Sequence, residues 1–187
     1  MTVLNVAMFG SDELAKSIAK ATDQRDVHTY VHKEYQDEVA KIISIIRPAR
    51  YPERLRPLLN AISAGRVGII EVNSVDATLG EVLVAFASSR INLGLVVINP
   101  PNDEWIDEEM VKKMLAQAGL SKWKFIPNDG VEIRNALYQL MEEIEQELVD
   151  SAASQLVVSI DQYFNVKGIG LVAIGYVQSG TINVHDE

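Results

Sequence analysis

Residues 10–17, Gly-Ser-Asp-Glu-Leu-Ala-Lys-Ser, connect an apolar run to a helical pattern. The run from Val3 to Phe9 predicts a buried strand, and Leu14, Ile18 and Ala21 follow at helical spacing. The octamer matches the pattern G-x-x-x-x-G-K-[ST] except at Ala15, which stands in place of the second glycine. The segment therefore predicts a strand–loop–helix unit of the kind that holds phosphate groups.

In such loops, backbone N–H groups at a helix N-terminus hold the phosphates, the lysine reaches the outer phosphates, and the serine binds magnesium. This pattern makes Gly10, Lys16 and Ser17 candidate phosphate-binding residues, with Ser17 as the magnesium ligand. The residue at the second glycine position weakens the match. A Cβ at Ala15 would crowd the approach to a phosphate, and a positive φ there would cost about 1–2 kcal/mol.

The same residues also fit an ordinary helix start. Ser11 or Asp12 is suited to cap a helix, and Glu13 in the first turn is favoured by the helix dipole. Both interpretations of the octamer are open at the level of the sequence.

The composition is that of a globular protein. The 187 residues are 48% apolar and 23% charged, which is enough for a sizeable core. The absence of cysteine excludes disulfides, thiolate metal sites and cysteine nucleophiles. A formal net charge of −9 opposes general attraction to nucleic acid or anionic membranes. Without a long apolar run or a signal-like N-terminus, the chain is predicted to be cytoplasmic, with no membrane partner.

Apolar runs alternate with helical patterns over the first 150 residues. The predicted strands are 3–9, 27–32, 39–46, 67–72, 93–98 and 123–126. The predicted helices follow the octamer and then occupy 52–62, 79–87, 106–118 and 133–148. Strands separated by helices indicate an α/β fold with a mostly parallel sheet and helices on both faces.

The pattern changes after residue 150. Segments 156–160, 169–177 and 181–184 read as strands between glycines, without a helix, which is typical of a small β-barrel. Three strands are too few to close a barrel and leave exposed edges. We therefore expect an α/β domain at 1–150 and an incomplete barrel at 151–187. The barrel would continue beyond residue 187 or be completed by a neighbouring chain.

The segment from Ile160 to Ile182 contains the pattern F-x-V-x-G-x-G, from Phe164 to Gly170, followed by glycines at 175 and 180. It resembles the start of the second domain of translational GTPases of the elongation factor Tu and selenocysteine-specific elongation factor type. Together with the octamer, the resemblance implies a P-loop NTPase-like G domain followed by a translation-factor barrel. No cofactor is firmly assigned; the resemblance implies GTP or GDP with magnesium.

The other nucleotide motifs of that family are altered in this chain. The D-x-x-G motif matches Arg50-Tyr51-Pro52-Glu53, so a cation replaces the aspartate that holds a magnesium-bound water. Arg54 stands in place of the catalytic histidine. The N-K-x-D motif matches Asn99-Pro100-Pro101-Asn102, which lacks the lysine. The resemblance thus implies no catalytic residue and a degenerate GTP site made of Gly10, Lys16, Ser17, Asn99 and Asn102.

The favoured interpretation is a pseudo-GTPase scaffold that interacts with the translation machinery, a tRNA or another translation factor. GTP hydrolysis needs a positioned metal, a positioned water and a charge clamp, most of which the altered motifs lack. The alternative is a GTP-binding elongation factor with divergent motifs and retained nucleotide binding. A third interpretation is a structural or assembly protein without a link to translation.

Four arginines surround the proline-rich turn at the altered D-x-x-G motif: Arg47, Arg50, Arg54 and Arg56. They could bind an RNA phosphate or the acidic surface of a partner. Alternatively, they are solvated charges around a turn.

Overall fold

A computed structural model describes residues 2–24, 27–36, 38–89 and 91–186. The chain forms two compact units, one ending at Met141 and the other beginning at Glu142. The domain limits of 1–150 and 151–187 stay a prediction. Asp37, between the predicted strands 27–32 and 39–46, lies outside the described residues.

The first unit contains the strands and helices that the sequence predicts and one further strand, β2 (Lys20–Gln24). Its strands are β1 (Thr2–Phe9), β2 (Lys20–Gln24), β3 (Val27–Gln36), β4 (Val39–Pro48), β5 (Val67–Val72), β6 (Gly94–Ile98) and β7 (Lys124–Ile126). Its helices are α1 (Asp12–Ile18), α2 (Leu55–Ala64), α3 (Ala77–Ala87) and α4 (Glu108–Gln117). The first part of α5, a helix that spans Gly130–Ser151, also belongs to this unit. None of these helices is long and apolar enough to cross a membrane.

The seven strands form one sheet in the order β2-β3-β4-β1-β5-β6-β7. Strands β4, β1, β5, β6 and β7 are parallel, and β2 and β3 extend the sheet in antiparallel pairs. The predicted α/β fold with a mostly parallel sheet is therefore confirmed. Because β1, β5 and β6 are parallel, their carboxyl ends meet at one edge, where α/β proteins place their sites.

The core lies around the central strands. All six residues of β5 are buried, so both faces of the sheet are covered at this point. Trp123 packs edge-to-face against Phe86, with ring centroids 5.0 Å apart, and lies over Gly68 and Gly94. Continuous apolar strands of this kind are stable only when helices cover both faces of the sheet.

One strand, β2, was not predicted. The helical spacing suggested that α1 continues to Ala21, but the helix ends at Ile18. From Lys20 onward the backbone pairs with β3 in an antiparallel ladder, and the side chains alternate between exposed and half-buried. Pairing with β3, a contact that is absent from the local pattern, decides the conformation of this segment.

The second unit contains an antiparallel hairpin formed by β8 (Val157–Val166) and β9 (Gly170–Ser179). Gly168 and Gly170 have φ angles of 86° and 101° in the turn, a conformation that glycine adopts without strain. The prediction of a third strand at 181–184 is wrong. Its backbone bonds locally instead, because the N–H of Asn183 donates to Asp186 Oδ2 at 2.7 Å.

The hairpin exposes apolar side chains along both strands. Tyr163 is 75% exposed and Leu171 is 70% exposed. A two-stranded hairpin is at best marginally stable in water, and large exposed apolar patches are typical of interaction surfaces. The exposed apolar residues of the two strands are Val157, Val158, Ile160, Tyr163, Phe164, Leu171 and Ile174.

Asp76 caps α3, and its replacement should cost stability in a pH-dependent way. Its Oδ1 accepts the N–H of Leu79 at 3.0 Å, and this bond, followed by that from Ser74 Oγ, holds the pKa of Asp76 below 3.8. We expect Asp76→Ala to lower the free energy of unfolding by about 1 kcal/mol near neutral pH. Because the folded pKa is lowered, the charge-dependent part is present above the unfolded pKa and disappears as the pH falls through the folded value.

Urea unfolding of the parent and of Asp76→Ala at about pH 7 and about pH 3 measures this effect. Asp76→Asn is the matched control, because asparagine also caps helices but does not titrate. It should retain most of the stability and lose only the part of the pH dependence that Asp76 contributes. An Asp76→Ala penalty that is the same at both pH values would contradict the charged cap.

Candidate functional site

The loop between β1 and α1 is shorter than the phosphate-loop pattern predicts. β1 ends at Phe9, Gly10 bends the chain, and α1 already begins at Asp12. Ser11 caps the helix, since its Oγ accepts the N–H of Leu14 at 3.1 Å. The structure thus forms the capped helix start that the sequence allows, and the phosphate-binding assignment of Gly10, Lys16 and Ser17 stays a prediction.

Lys16 and Ser17 lie in the last turn of α1, at the opposite end from Gly10. Lys16 Nζ is 2.5 Å from Asp12 Oδ2, and Ser17 Oγ donates to the carbonyl of Leu14 at 2.8 Å. The helical rise places Lys16 about 6 Å along the axis from Asp12. The candidate residues of the octamer are thus divided between the two ends of a seven-residue helix.

The carbonyl end of α1 packs against the start of α5. Arg134 Nη1 donates to the carbonyl of Ser17 at 2.8 Å and to that of Ile18 at 2.9 Å. At Gly130 a Cβ would lie 2.3 Å from the Ser17 carbonyl oxygen, so glycine permits this contact. Within the described ranges, no cluster of three or more His, Cys, Asp or Glu side chains could hold a metal ion.

The peptide bond between Gly10 and Ser11 is held from both sides. On one side, Arg47 Nε donates to the carbonyl of Gly10 at 2.6 Å. On the other side, the N–H of Ser11 donates to Oε2 of Glu71. A Cβ at Gly10 would lie 3.0 Å from that oxygen and 2.8 Å from Cε of Met8. Glycine therefore lets the main chain pass close to the carboxylate.

Glu71 is the central side chain of this site. It lies on β5 with 2% of its surface exposed, and its Oε1 accepts a hydrogen bond from Nδ2 of Asn99 at 2.6 Å. Asn99 directly follows β6, and its own N–H donates to the carbonyl of Val72 at 2.9 Å. The carboxylate thus connects the carboxyl ends of β1, β5 and β6, and it brings Gly10 and Asn99 together.

Sequence reasoning missed Glu71, although a signal was present. Glu71 is the only charged residue in the apolar run 67–72. A carboxylate in a buried strand requires hydrogen-bond donors. Its position alone therefore indicates that other segments approach it and provide those donors. The donors come from Ser11 and Asn99, which are distant in the sequence, and no local pattern identifies them.

Asn102 is not part of this hydrogen-bonded cluster. It lies in a short 3-10 turn, Pro101–Asp103, with a φ of 54°. In the part of the chain that the structure describes, no hydrogen bond links its side chain to Glu71 or Asn99. The structure therefore connects Gly10 and Asn99 through Glu71, while Lys16, Ser17 and Asn102 remain outside the cluster.

Asp12 anchors the start of α1 on β3. The hydroxyl of Tyr30, a fully buried residue, donates to Asp12 Oδ1 at 2.5 Å. The hydrogen bond from Lys16, followed by that from Tyr30, holds the pKa of Asp12 below 3.8. Burial, followed by the bond to Asp12, raises the pKa of Tyr30 to about 12. The charge of Lys16 is therefore balanced by a carboxylate of its own helix.

A cavity of about 330 Å³ opens beside Glu71. Phe9 and Tyr51 contact each other edge-to-face in its wall, with centroids 5.7 Å apart. Burial, followed by donation of the Tyr51 hydroxyl to Glu81 Oε2 at 2.9 Å, raises the pKa of Tyr51 to about 12. The cavity is lined by Glu71 and Asp76, and its described lining includes no lysine or arginine. Its charge therefore opposes a phosphate group.

Comparison with known structures identifies the fold. The crystal structure of a bacterial selenocysteine-specific elongation factor matches with a TM-score of 0.58 and 17% identity, over 96% of this chain and 34% of that one. The elongation factor SelB from Methanococcus maripaludis, crystallised with the GTP analogue GppNHp, matches with a TM-score of 0.57 and 18% identity. That match covers 100% of this chain and 44% of SelB. The chain has the fold of these translation factors.

A relative is also recognisable from its sequence. An uncharacterized protein of Methanocaldococcus jannaschii is 29% identical over all 187 residues, which cover 56% of its own length. The chain therefore spans about half the length of this relative. No model of a known protein family matches the chain.

Proposed function

We propose that the chain is a translation-factor-like scaffold, a pseudo-GTPase whose first unit is held together by its own side chains and not by a bound nucleotide. The observation that carries the proposal is the buried Glu71 carboxylate, which accepts the N–H of Ser11 at the start of α1. In nucleotide-binding loops, backbone N–H groups at this position hold phosphate oxygens. Here a side chain of the protein provides the anion.

The charges around this position support the proposal. A phosphate beside Ser11 would meet the Glu71 carboxylate, and two like charges at about 4 Å repel each other strongly in a partly buried site. Lys16, which would otherwise compensate phosphate charge, is paired with Asp12 at 2.5 Å. Nucleotide binding would thus require rearrangement of both the loop and α1.

The partner that we propose belongs to the translation apparatus: the ribosome, a tRNA or another factor. The fold shared with two elongation factors supports this role, and such a protein would act in the cytoplasm. We also propose that the exposed hairpin of the second unit is the start of a translation-factor barrel that further strands complete. The greater length of the Methanocaldococcus relative is consistent with such an extension.

Isothermal titration with GDP or GppNHp in the presence of magnesium tests the pseudo-GTPase proposal. We expect no detectable binding by the parent chain and none by Lys16→Ala, while SelB from Methanococcus maripaludis serves as the positive control. Micromolar binding that Ser17→Ala abolishes would contradict the proposal and favour a divergent GTP-binding elongation factor. GTP hydrolysis abolished by Lys16→Ala would do the same.

Co-sedimentation with ribosomes and with tRNA at low salt tests the proposed partner separately. Binding that survives without added nucleotide is the expected result. If neither ribosomes nor tRNA retain the protein, a structural or assembly role outside translation is favoured instead.

A further inference from the structure

Three exposed arginines lie near the start of α2 in a strongly acidic chain. Arg50, Arg54 and Arg56 are exposed, and within the described residues no ion pair or hydrogen bond engages their side chains. Residues 47–66 carry five arginines and one glutamate, whereas the whole chain has a net charge of −9. The positive charge is therefore concentrated on one segment, and within the described residues no partner neutralises the side chains of Arg50, Arg54 and Arg56.

Two leucines lie among these arginines. Leu55 is 57% exposed and Leu59 is 48% exposed, and their spacing of four residues places them on the same face of α2. The opposite side of the helix supplies the core, where Leu58 and Ile62 are buried. Exposed apolar side chains beside arginines are typical of protein interfaces. We call this set the arginine–leucine surface: Arg50, Arg54, Leu55, Arg56 and Leu59.

We propose that the arginine–leucine surface binds an acidic amphipathic helix of a protein partner. Carboxylates on that helix would pair with the guanidinium groups, and its apolar face would cover Leu55 and Leu59. The start of α2 adds to the positive field, because Arg54 at its N-cap makes no side-chain capping bond and the first turn contains no acidic residue. An acidic partner would supply the negative charges that this surface lacks.

A protein partner fits this surface better than an RNA does. Recognition of RNA uses aromatic side chains that stack on bases. The aromatic residue within this segment, Tyr51, is half-buried, with its ring against Phe9 and its hydroxyl bonded to Glu81. Phosphate contacts would leave the two exposed leucines without a role. The inference depends on this surface alone and holds whether or not the first unit binds nucleotide.

Fluorescence anisotropy with a labelled synthetic peptide tests the proposal. The probe is a helical peptide of about 18 residues with leucines at i and i+4 flanked by glutamates. We expect it to bind the full chain, with affinity that falls as salt rises from about 50 to 300 mM. Charge reversal in Arg54→Glu/Arg56→Glu should weaken binding at least about tenfold. Leu55→Ser/Leu59→Ser should weaken it about as much without removing the salt dependence.

The matched control reverses two lysines elsewhere on the surface, Lys113→Glu/Lys122→Glu, which makes the same change in net charge. It should alter binding by less than about twofold. Thermal melting of each variant checks that the fold is intact. An equal loss in the control or unaffected binding by the arginine variant would overturn the proposal. The proposal would also be overturned if a single-stranded RNA bound more tightly than the peptide. Formation of a dimer that the leucine variant abolishes would overturn it as well.

Discussion

Replacing Glu71 by alanine should lower the free energy of unfolding by about 3 kcal/mol. The carboxylate is buried and accepts hydrogen bonds from the N–H of Ser11 and from Nδ2 of Asn99. Its removal leaves both donors without an acceptor, and each buried unpaired donor costs about 1–3 kcal/mol. The ends of three strands lose their connection in one substitution. Urea unfolding near neutral pH measures the loss.

Two variants make this measurement specific. Glu104→Ala removes an exposed carboxylate and should change stability by less than about 0.5 kcal/mol. Asn99→Ala removes one of the two donors to Glu71, so the double variant with Glu71→Ala should be less destabilised than the sum, by about 1–2 kcal/mol. A loss below about 1 kcal/mol for Glu71→Ala would show that the carboxylate does not hold the strand ends together.

Replacing Gly94 by alanine should cost about 2–3 kcal/mol, because the new methyl group has no space. Gly94 on β6 is the register partner of Gly68 on β5, and the Trp123 ring lies over both. A Cβ would lie 2.5 Å from Cδ2 of Trp123 at Gly94 and 2.2 Å from its Cη2 at Gly68. Phe86 packs against the ring, which limits its movement.

Gly80→Ala is the control for this prediction. Gly80 lies within α3, and a Cβ there would meet nothing within 4 Å. Alanine is a better helix former, so this variant should gain about 0.5–1 kcal/mol. Trp123→Leu in the Gly94→Ala background should recover part of the loss. If Gly94→Ala is as stable as the parent, the packing of Trp123 on this strand pair is wrong.

Fluorescence reports on the same packing. The chain has two tryptophans: Trp105 is 83% exposed, and Trp123 is 5% exposed. In a Trp105→Phe background, the emission comes from Trp123 alone. We expect Gly94→Ala to shift that emission, because the ring must move away from β6.

The sequence predicted much of the first unit because its elements are locally encoded. The apolar runs at β1, β5 and β6 were recognised, since strands buried on both faces carry continuous apolar residues. The helical spacing predicted α3, α4 and α5, because one face of each helix packs on the sheet and carries apolar residues at that spacing. The resemblance to translational GTPases is matched by the shared fold of the two elongation factors.

Less of the geometry of the candidate site follows from the sequence, because its contacts join distant segments. Gly10 and Asn99 were named from motifs, and they do converge, but the residue that connects them was not named. Glu71 accepts hydrogen bonds from Ser11, which is 60 positions away in the sequence, and from Asn99, which is 28 positions away. Likewise, Lys16 and Ser17 matched a motif by identity, whereas their position at the end of α1 depends on where the helix starts.

The sequence by itself determined the strands and helices of the first unit except β2, and the change to an all-β segment after residue 150. These features depend on residue types and short spacings, which act within one or two turns of chain. The tertiary structure decided that α1 begins at Asp12, that β2 pairs with β3, and that a buried carboxylate holds the Gly10–Ser11 peptide. The last of these depends on hydrogen bonds from Ser11 and Asn99, which lie 60 and 28 positions from Glu71 and reach it only after the sheet has formed.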